Sequence, residues 1–84
     1  MKPIRLTAHA AGYIEKRGFS VAEVEEAIRQ KDWTPAERGR LECRRDFVFD
    51  NVWNNKRYGI KQVRPIFVEE SDQIVVVTVY VYYS

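Results

Sequence analysis

The sequence predicts an α+β fold, with two N-terminal helices packed on an antiparallel sheet of three to four strands. Three observations carry this expectation. Ser20-Val21-Ala22-Glu23 is a capping box, the pattern that opens a helix. The apolar period changes from helical to alternating near Trp33. The chain then closes on Ile74–Tyr83, a run dense in Val and Tyr, which favour strands. Eighty-four residues allow one hydrophobic core, so residues 1–84 are read as a single domain.

The first helix is expected from Thr7, a good N-cap, to Gly18, which suits the left-handed position that ends a helix. Ala10, Ile14 and Arg17 then share one stripe of its surface. Phe19 and Val24 flank the capping box as a hydrophobic staple, and Val24, Ala27 and Ile28 continue the buried face of the second helix. With one residue between them, the two helices fold back as a pair. Pro35 demotes residues 33–38 to an edge strand or an irregular segment, and Gly39 marks a turn. From Leu41 to Trp53, five of seven odd positions are apolar against two of six even ones, which argues a strand with one buried face.

Asn54-Asn55 can supply the positive φ angles of a two-residue hairpin, with Asp50-Asn51 as the competing turn. A strand from Lys56 to about Glu69 follows, disturbed at Pro65, whose missing N–H suits an edge or a bulge. The final strand, Ile74–Tyr83, is expected to be central, because an exposed strand of this composition would aggregate. With the hairpin tip at Asn54-Asn55, Phe47, Phe49, Trp53, Tyr58, Ile60, Ile66, Ile74, Val76 and Tyr80 form the floor beneath the helices. Arg44, Arg57 and Lys61 then take the opposite face beside Val75, Val77 and Val79. A slip of one residue exchanges the two sets.

The net charge of +2 is unevenly spread. Residues 38–64 hold eight basic side chains against three acidic ones, whereas residues 65–84 hold three acidic and no basic ones. A basic block of this kind either attracts a polyanion or forms an ordinary solvated face. The longest apolar stretch is too short for a membrane helix, and no signal-peptide pattern opens the chain. One cysteine fits a reducing compartment, so a cytoplasmic location without membrane partners is expected.

Few residue sets could carry chemistry. One His and one Cys offer no zinc spacing, no glycine-rich phosphate loop occurs, and no Ser sits in a nucleophile elbow. No metal or cofactor is therefore expected. Cys43 alternates with buried positions and reads as a small core residue. His9 falls in the first turn of the first helix, where the helix dipole would keep the imidazole neutral and able to accept a proton; it also reads as a surface residue. Arg17, on an otherwise apolar stripe, either meets a helix-end carbonyl or carboxylate, or points into a cleft. Arg44, Arg57, Lys61 and Arg64 are candidate phosphate binders, and Tyr80 is a candidate base-stacking platform.

The stretch His9-Ala10-x-x-x-Ile14-x-x-Arg17-Gly18-Phe19-Ser20-x-x-x-Val24 resembles the opening of a widespread bacterial family, the domain of unknown function numbered 4258. The ending at Thr78-Val79-Tyr80 looks like that family too. Such domains are similar to the RelE/ParE toxin superfamily, small α+β folds that include ribosome-associated mRNA-cleaving toxins and gyrase inhibitors without nuclease activity. The resemblance implies helices on one sheet face and a basic groove on or beside the other. Of the motif, only His9, Arg17 and Gly18 carry over as named positions, and no catalytic set comes with them.

Two functional expectations follow. One is a toxin-like, metal-independent endoribonuclease or RNA-binding protein, acting on RNA or the ribosome and held by a cognate antitoxin. In it His9 is the general base and the cations, Arg17 among them, neutralise the phosphorane. The other is a non-enzymatic module that binds a protein through its Val- and Tyr-rich final strand. The oligomeric state is open.

Overall fold

A computed structural model describes residues 1–84. Its first element is a strand, β1 (Ile4–Leu6), ahead of the helix expected from Thr7. Three residues carry too little periodicity to announce a strand. What makes one is a partner distant in sequence: β1 pairs in parallel with Ile74–Val76. The expected helix from Thr7 to Gly18 is two single turns, α1 (Ala8–Ala11) and α2 (Ile14–Arg17). Thr7 caps α1 through its side chain, which accepts from the Ala10 N–H at 3.2 Å. The break falls at Gly12-Tyr13, where the Tyr13 N–H bonds the Ala10 carbonyl three residues back. Gly12 costs about 1 kcal/mol in a helix interior, so continuing through it has little to gain.

Gly18 ends α2 in the left-handed region, at φ 76°. The capping box of α3 (Val21–Gln30) closes in both directions, Ser20 with Glu23. Phe19 and Val24 are both buried in the core, and Val24, Ala27 and Ile28 face the sheet. Trp33 then anchors the helix exit, donating to the Ile28 carbonyl at 2.9 Å and meeting Phe67 edge-on. The structure is thus α+β, with three helices and a larger sheet than expected.

That sheet has six strands in the order β1-β6-β5-β3-β2, with β4 also alongside β5. They are β2 (Thr34–Pro35), β3 (Leu41–Glu42), β4 (Arg45–Trp53), β5 (Lys56–Glu69) and β6 (Ile74–Tyr83). The strand expected over 41–53 is interrupted at Cys43-Arg44, opposite Arg64 and Pro65. Ile60 exchanges hydrogen bonds with Ser84, so by alternation the odd-numbered residues of β5 from Lys61 onward turn their N–H groups toward β3 and β4. Pro65 has none to give there. The proline therefore leaves β5 continuous and breaks its neighbour instead. Asn54 and Asn55, at φ 50° and 67°, make the hairpin tip, while Asp50 at φ 42° belongs to a bulge rather than to a turn.

Bulges decide which side chains share a face. Phe47, Lys61 and Tyr83 stand in register on the helix-covered side. The Gly59 and Ile60 N–H groups both bond the Ser84 carbonyl, and β6 shifts register around Val77. These two irregularities reverse the alternation, so Ile60, Ile66 and Tyr80 lie on the open face and Lys61 and Val79 on the helix side, against expectation. Phe47, Trp53, Tyr58, Ile74 and Val76 keep the expected side. Of the exposed large apolar side chains, Val48, Val52, Ile60, Tyr80 and Tyr82 all belong to the open face. The final strand is central only over Ile74–Val76; from Val77 onward its outer edge has no strand beside it. No helix is long and apolar enough to cross a membrane.

Two stability tests follow. A Cβ on Gly18 would lie 2.3 Å from Tyr83 Oη and 2.7 Å from the Trp53 ring, on a backbone that disfavours L side chains. Gly18→Ala should cost roughly 2 to 5 kcal/mol in urea unfolding; a loss below about 0.5 kcal/mol would contradict this packing. Cys43 is buried in the core, and burial, helped by the charge of Glu42, pushes its thiol up to about 11. A folded-state value above the unfolded one means this stability is complete below about pH 9 and is lost as pH rises through about 11. Wild type should lose up to about 2.5 kcal/mol between these limits and Cys43→Ala less; equal losses would remove the thiol as the cause.

Candidate nucleic-acid interface

On the open face, β5 and β6 bring Arg64 and Tyr80 into register, and β3 sets Glu42 beside Ile66. Over this end of the face folds the β2–β3 connection, Ala36 to Arg40. It closes by the Ala36 N–H on the Arg40 carbonyl at 2.8 Å and turns through a 3-10 segment, Glu37–Gly39. Gly39 accepts a left-handed conformation at no steric cost, but Arg38 takes one too, at φ 61°. A non-glycine residue held there costs on the order of 1–2 kcal/mol. The cleft between this turn and the sheet measures about 680 Å³ and is walled by Glu37, Arg38, Arg40, Glu42, Arg64 and Tyr80.

Its cations are held in two different ways. Arg64 is fixed: its Nε donates to Glu42 at 2.6 Å, its Nη2 pairs with the same carboxylate, and its Nη1 donates to Tyr82 Oη at 3.1 Å. Burial works against that charge, but the bonds to Tyr82 and Glu42 more than offset it and hold the guanidinium above its ordinary value. Arg44 reaches the same carboxylate at 4.0 Å from the rim. Arg38 and Arg40, by contrast, have no carboxylate within ion-pair distance. One wall is therefore a neutralised, rigid pair, and the other holds two unpaired guanidiniums beside the unpaired Glu37 carboxylate, a net charge of one positive unit that favours an anion.

Arg17 lies across the free edge of β6. Its Nη1 donates to Val79 O at 2.8 Å and Thr78 Oγ1 at 3.3 Å, so it too is without a carboxylate. Arg17 and Arg64 both approach the Tyr80 ring, with their Cζ atoms 5.1 and 5.5 Å from its centroid.

The other expected site residues lie elsewhere. His9 is exposed on α1, packs edge-on to Tyr13 at 5.0 Å, and is not among the residues walling the cleft. Arg57 pairs with Asp50 at 2.8 Å near the hairpin tip. Seven residues along β5 separate it from Arg64, about 23 Å at strand spacing. Lys61 is on the opposite face, 9% exposed, its amine on Glu23 at 2.8 Å and on the Gly18 carbonyl at 3.0 Å. The face reversal at Gly59 put it there. The structure thus gathers Arg64, Tyr80, Arg44 and Arg17 and places Arg57 and Lys61 away from them, while His9 stands outside the cleft lining but against the Tyr13 ring that stacks on Arg17. Arg38, Arg40, Glu37 and Glu42 were not singled out from the sequence; the basic Arg38-Gly39-Arg40 turn was the signal available. No group of three or more His, Cys, Asp or Glu side chains converges on a point that could hold a metal.

No protein-family model, curated protein or solved structure matches the chain.

Lys61→Met tests the division between faces. Leaving Glu23 without its partner should cost about 1–3 kcal/mol of stability, because both groups are largely covered. Binding of a polyanion, read as the dependence of affinity on salt, should stay as in wild type. A shallower salt dependence in Lys61→Met would return Lys61 to the binding surface.

Proposed function

We propose that the chain is a RelE/ParE-like, toxin-type domain that binds RNA in the open-face cleft and cleaves it without a metal. The observation that supports this reading is the meeting of two free guanidiniums, a fixed Arg64–Glu42 pair and an exposed Tyr80 around one cleft. Phosphates suit Arg38 and Arg40, and a base suits the Tyr80 ring. The motif from His9 to Val24 resembles family 4258, whose domains are similar to that superfamily, and helices gathered on one sheet face are what this resemblance implies.

In the cleavage step the 2′-hydroxyl of one nucleotide attacks the adjoining phosphorus. The 5′-oxygen of the next nucleotide leaves, taking a proton from solvent water to become a 5′-hydroxyl, and the other product is a 2′,3′-cyclic phosphate. Arg38, Arg40 and Arg64 neutralise the charge that builds on the phosphorane. Glu42 is occupied by two guanidiniums, so Glu37, whose carboxylate makes no ion pair, is the wall group free to take the hydroxyl proton. His9, outside the cleft, takes no part in this scheme.

The alternative is a non-enzymatic protein-binding module. The exposed Val48, Val52 and Ile60 and the strandless outer edge of β6 favour it, because both are surfaces that a protein partner, such as an antitoxin, covers.

Incubating purified protein with single-stranded RNA in excess chelator separates the two. Cleavage should occur, and RNA with a 2′-deoxynucleotide at the cut site should resist. Glu37→Gln should lose about 10²- to 10⁴-fold in rate while still binding RNA, and His9→Ala should keep the wild-type rate. The Arg38→Gln/Arg40→Gln double variant should flatten the salt dependence of binding by about 1.4 in log–log slope. A rate lost in His9→Ala but kept in Glu37→Gln would return proton transfer to the imidazole; binding without cleavage would leave an RNA-binding domain.

A further inference from the structure

We infer that the cleft takes nucleic acid as a single strand, and that Arg17 supplies a second phosphate subsite on the far side of Tyr80. This rests on the RNA reading above and specifies the form of the ligand.

Arg17 is a charge without a counter-ion. Its only hydrogen-bond partners are neutral, the Val79 carbonyl and the Thr78 hydroxyl, and both bond through Nη1. A guanidinium carries five N–H donors in a fixed fork, so Nε and Nη2 remain unused. The fork cannot swing away, because the Tyr13 ring stacks on it with Cζ 3.8 Å from the centroid. Capping the free edge of β6 needs only a donor to Val79, which a neutral side chain could provide. A half-covered charge locked between an aromatic ring and a strand edge, with three N–H groups to spare, fits an anion that arrives from solution.

The position of that anion follows from Tyr80. Its ring is 39% exposed on the open face. Arg64 approaches from β5, and Arg17 approaches from α2 beyond the opposite edge of β6. The two guanidinium carbons are therefore no more than about 11 Å apart, both beside the one exposed aromatic ring. A base stacked on Tyr80 would carry one flanking phosphate toward Arg64 and the cleft and the other toward Arg17. Bases in a duplex have their faces covered by their neighbours, and stacking on Tyr80 would require unstacking them. A single strand has its faces available.

Fluorescence anisotropy over a range of salt concentrations tests this with fluorescein-labelled uridine mono-, tri- and hexanucleotides and an RNA duplex as probes. The trinucleotide should bind at least about tenfold tighter than the mononucleotide, having gained the second phosphate that flanks the stacked base. The duplex should bind weaker than the hexanucleotide. Arg17→Gln should lower the log–log salt slope for the hexanucleotide by about 0.7, the value of one phosphate contact on a single strand. Tyr80→Leu should weaken binding by about 5- to 150-fold and leave the slope unchanged.

A folded Arg17→Gln protein with an unchanged slope would overturn the Arg17 subsite and leave the RNA reading standing. A duplex bound as tightly as the hexanucleotide would overturn single-strand preference. Where Arg17→Gln fails to fold, the length series and Tyr80→Leu decide, and no gain from mono- to trinucleotide overturns the subsite. A wild-type protein that binds none of the probes would overturn the RNA reading as well.

Discussion

The Gly18 carbonyl, at the end of α2, is where the helices are fastened to the sheet. Lys61 donates to it at 3.0 Å, and Tyr83 Oη donates to the neighbouring Arg17 carbonyl at 2.9 Å and more weakly to Gly18 at 3.4 Å. Glu23, already closing the capping box of α3, balances the Lys61 charge. Trp53 stacks on the Tyr83 ring at 5.0 Å, drawing the β4–β5 hairpin into the same junction. Burial, with a smaller push from Glu23, raises the Tyr83 hydroxyl above its ordinary value, which keeps it a donor. Orphan carbonyls at a helix end are thus satisfied by strand side chains rather than by water. With α2 fastened this way, Arg17 has one place to go, across the edge of β6 to Tyr80.

The same junction sorts the cations. On the helix-covered side, Lys61 is matched by Glu23 and Arg45 by Glu26. On the open side, Arg64 is matched by Glu42, but Arg38, Arg40 and Arg17 have no carboxylate within ion-pair distance. The net charge of +2 says little about this, because it does not tell which cations are paired. Arg38 adds a second sign of specialisation. Its left-handed backbone is an expense the turn could avoid with another glycine, and the strain is found at the cleft wall.

Local chemistry was legible in the sequence. The capping box at Ser20 and Glu23, the left-handed Gly18, the Asn54-Asn55 tip and the buried Cys43 each depend on a few neighbouring residues, and each is present as read. Long-range facts were not legible. β1 exists because β6 offers it an edge, and nothing within Ile4–Leu6 announces that. The break at Cys43 is caused by a proline on another strand. Irregularities at Gly59 and Val77 reverse the two-residue alternation, so a reading by alternation put Tyr80 beneath the helices and Lys61 outside. The cleft needed the β2–β3 turn to fold over the sheet, and neither helical nor strand periodicity describes that. Arg64 and Tyr80 were named as site residues from chemical type alone, whereas Arg38 and Arg40 entered only as part of the basic block, because nothing local tells which of its cations share a cleft.

The central claim is that one end of the open face, and no other surface, receives nucleic acid. Backbone and arginine side-chain resonances followed by NMR during titration with single-stranded RNA test it most directly. Perturbations should concentrate on Arg38, Arg40, Arg64, Tyr80 and Tyr82 and extend to Arg17, while the Lys61 amide stays unmoved. Shifts centred on Val48, Val52 and Arg57 at the hairpin, or none at all with saturating RNA, would contradict it.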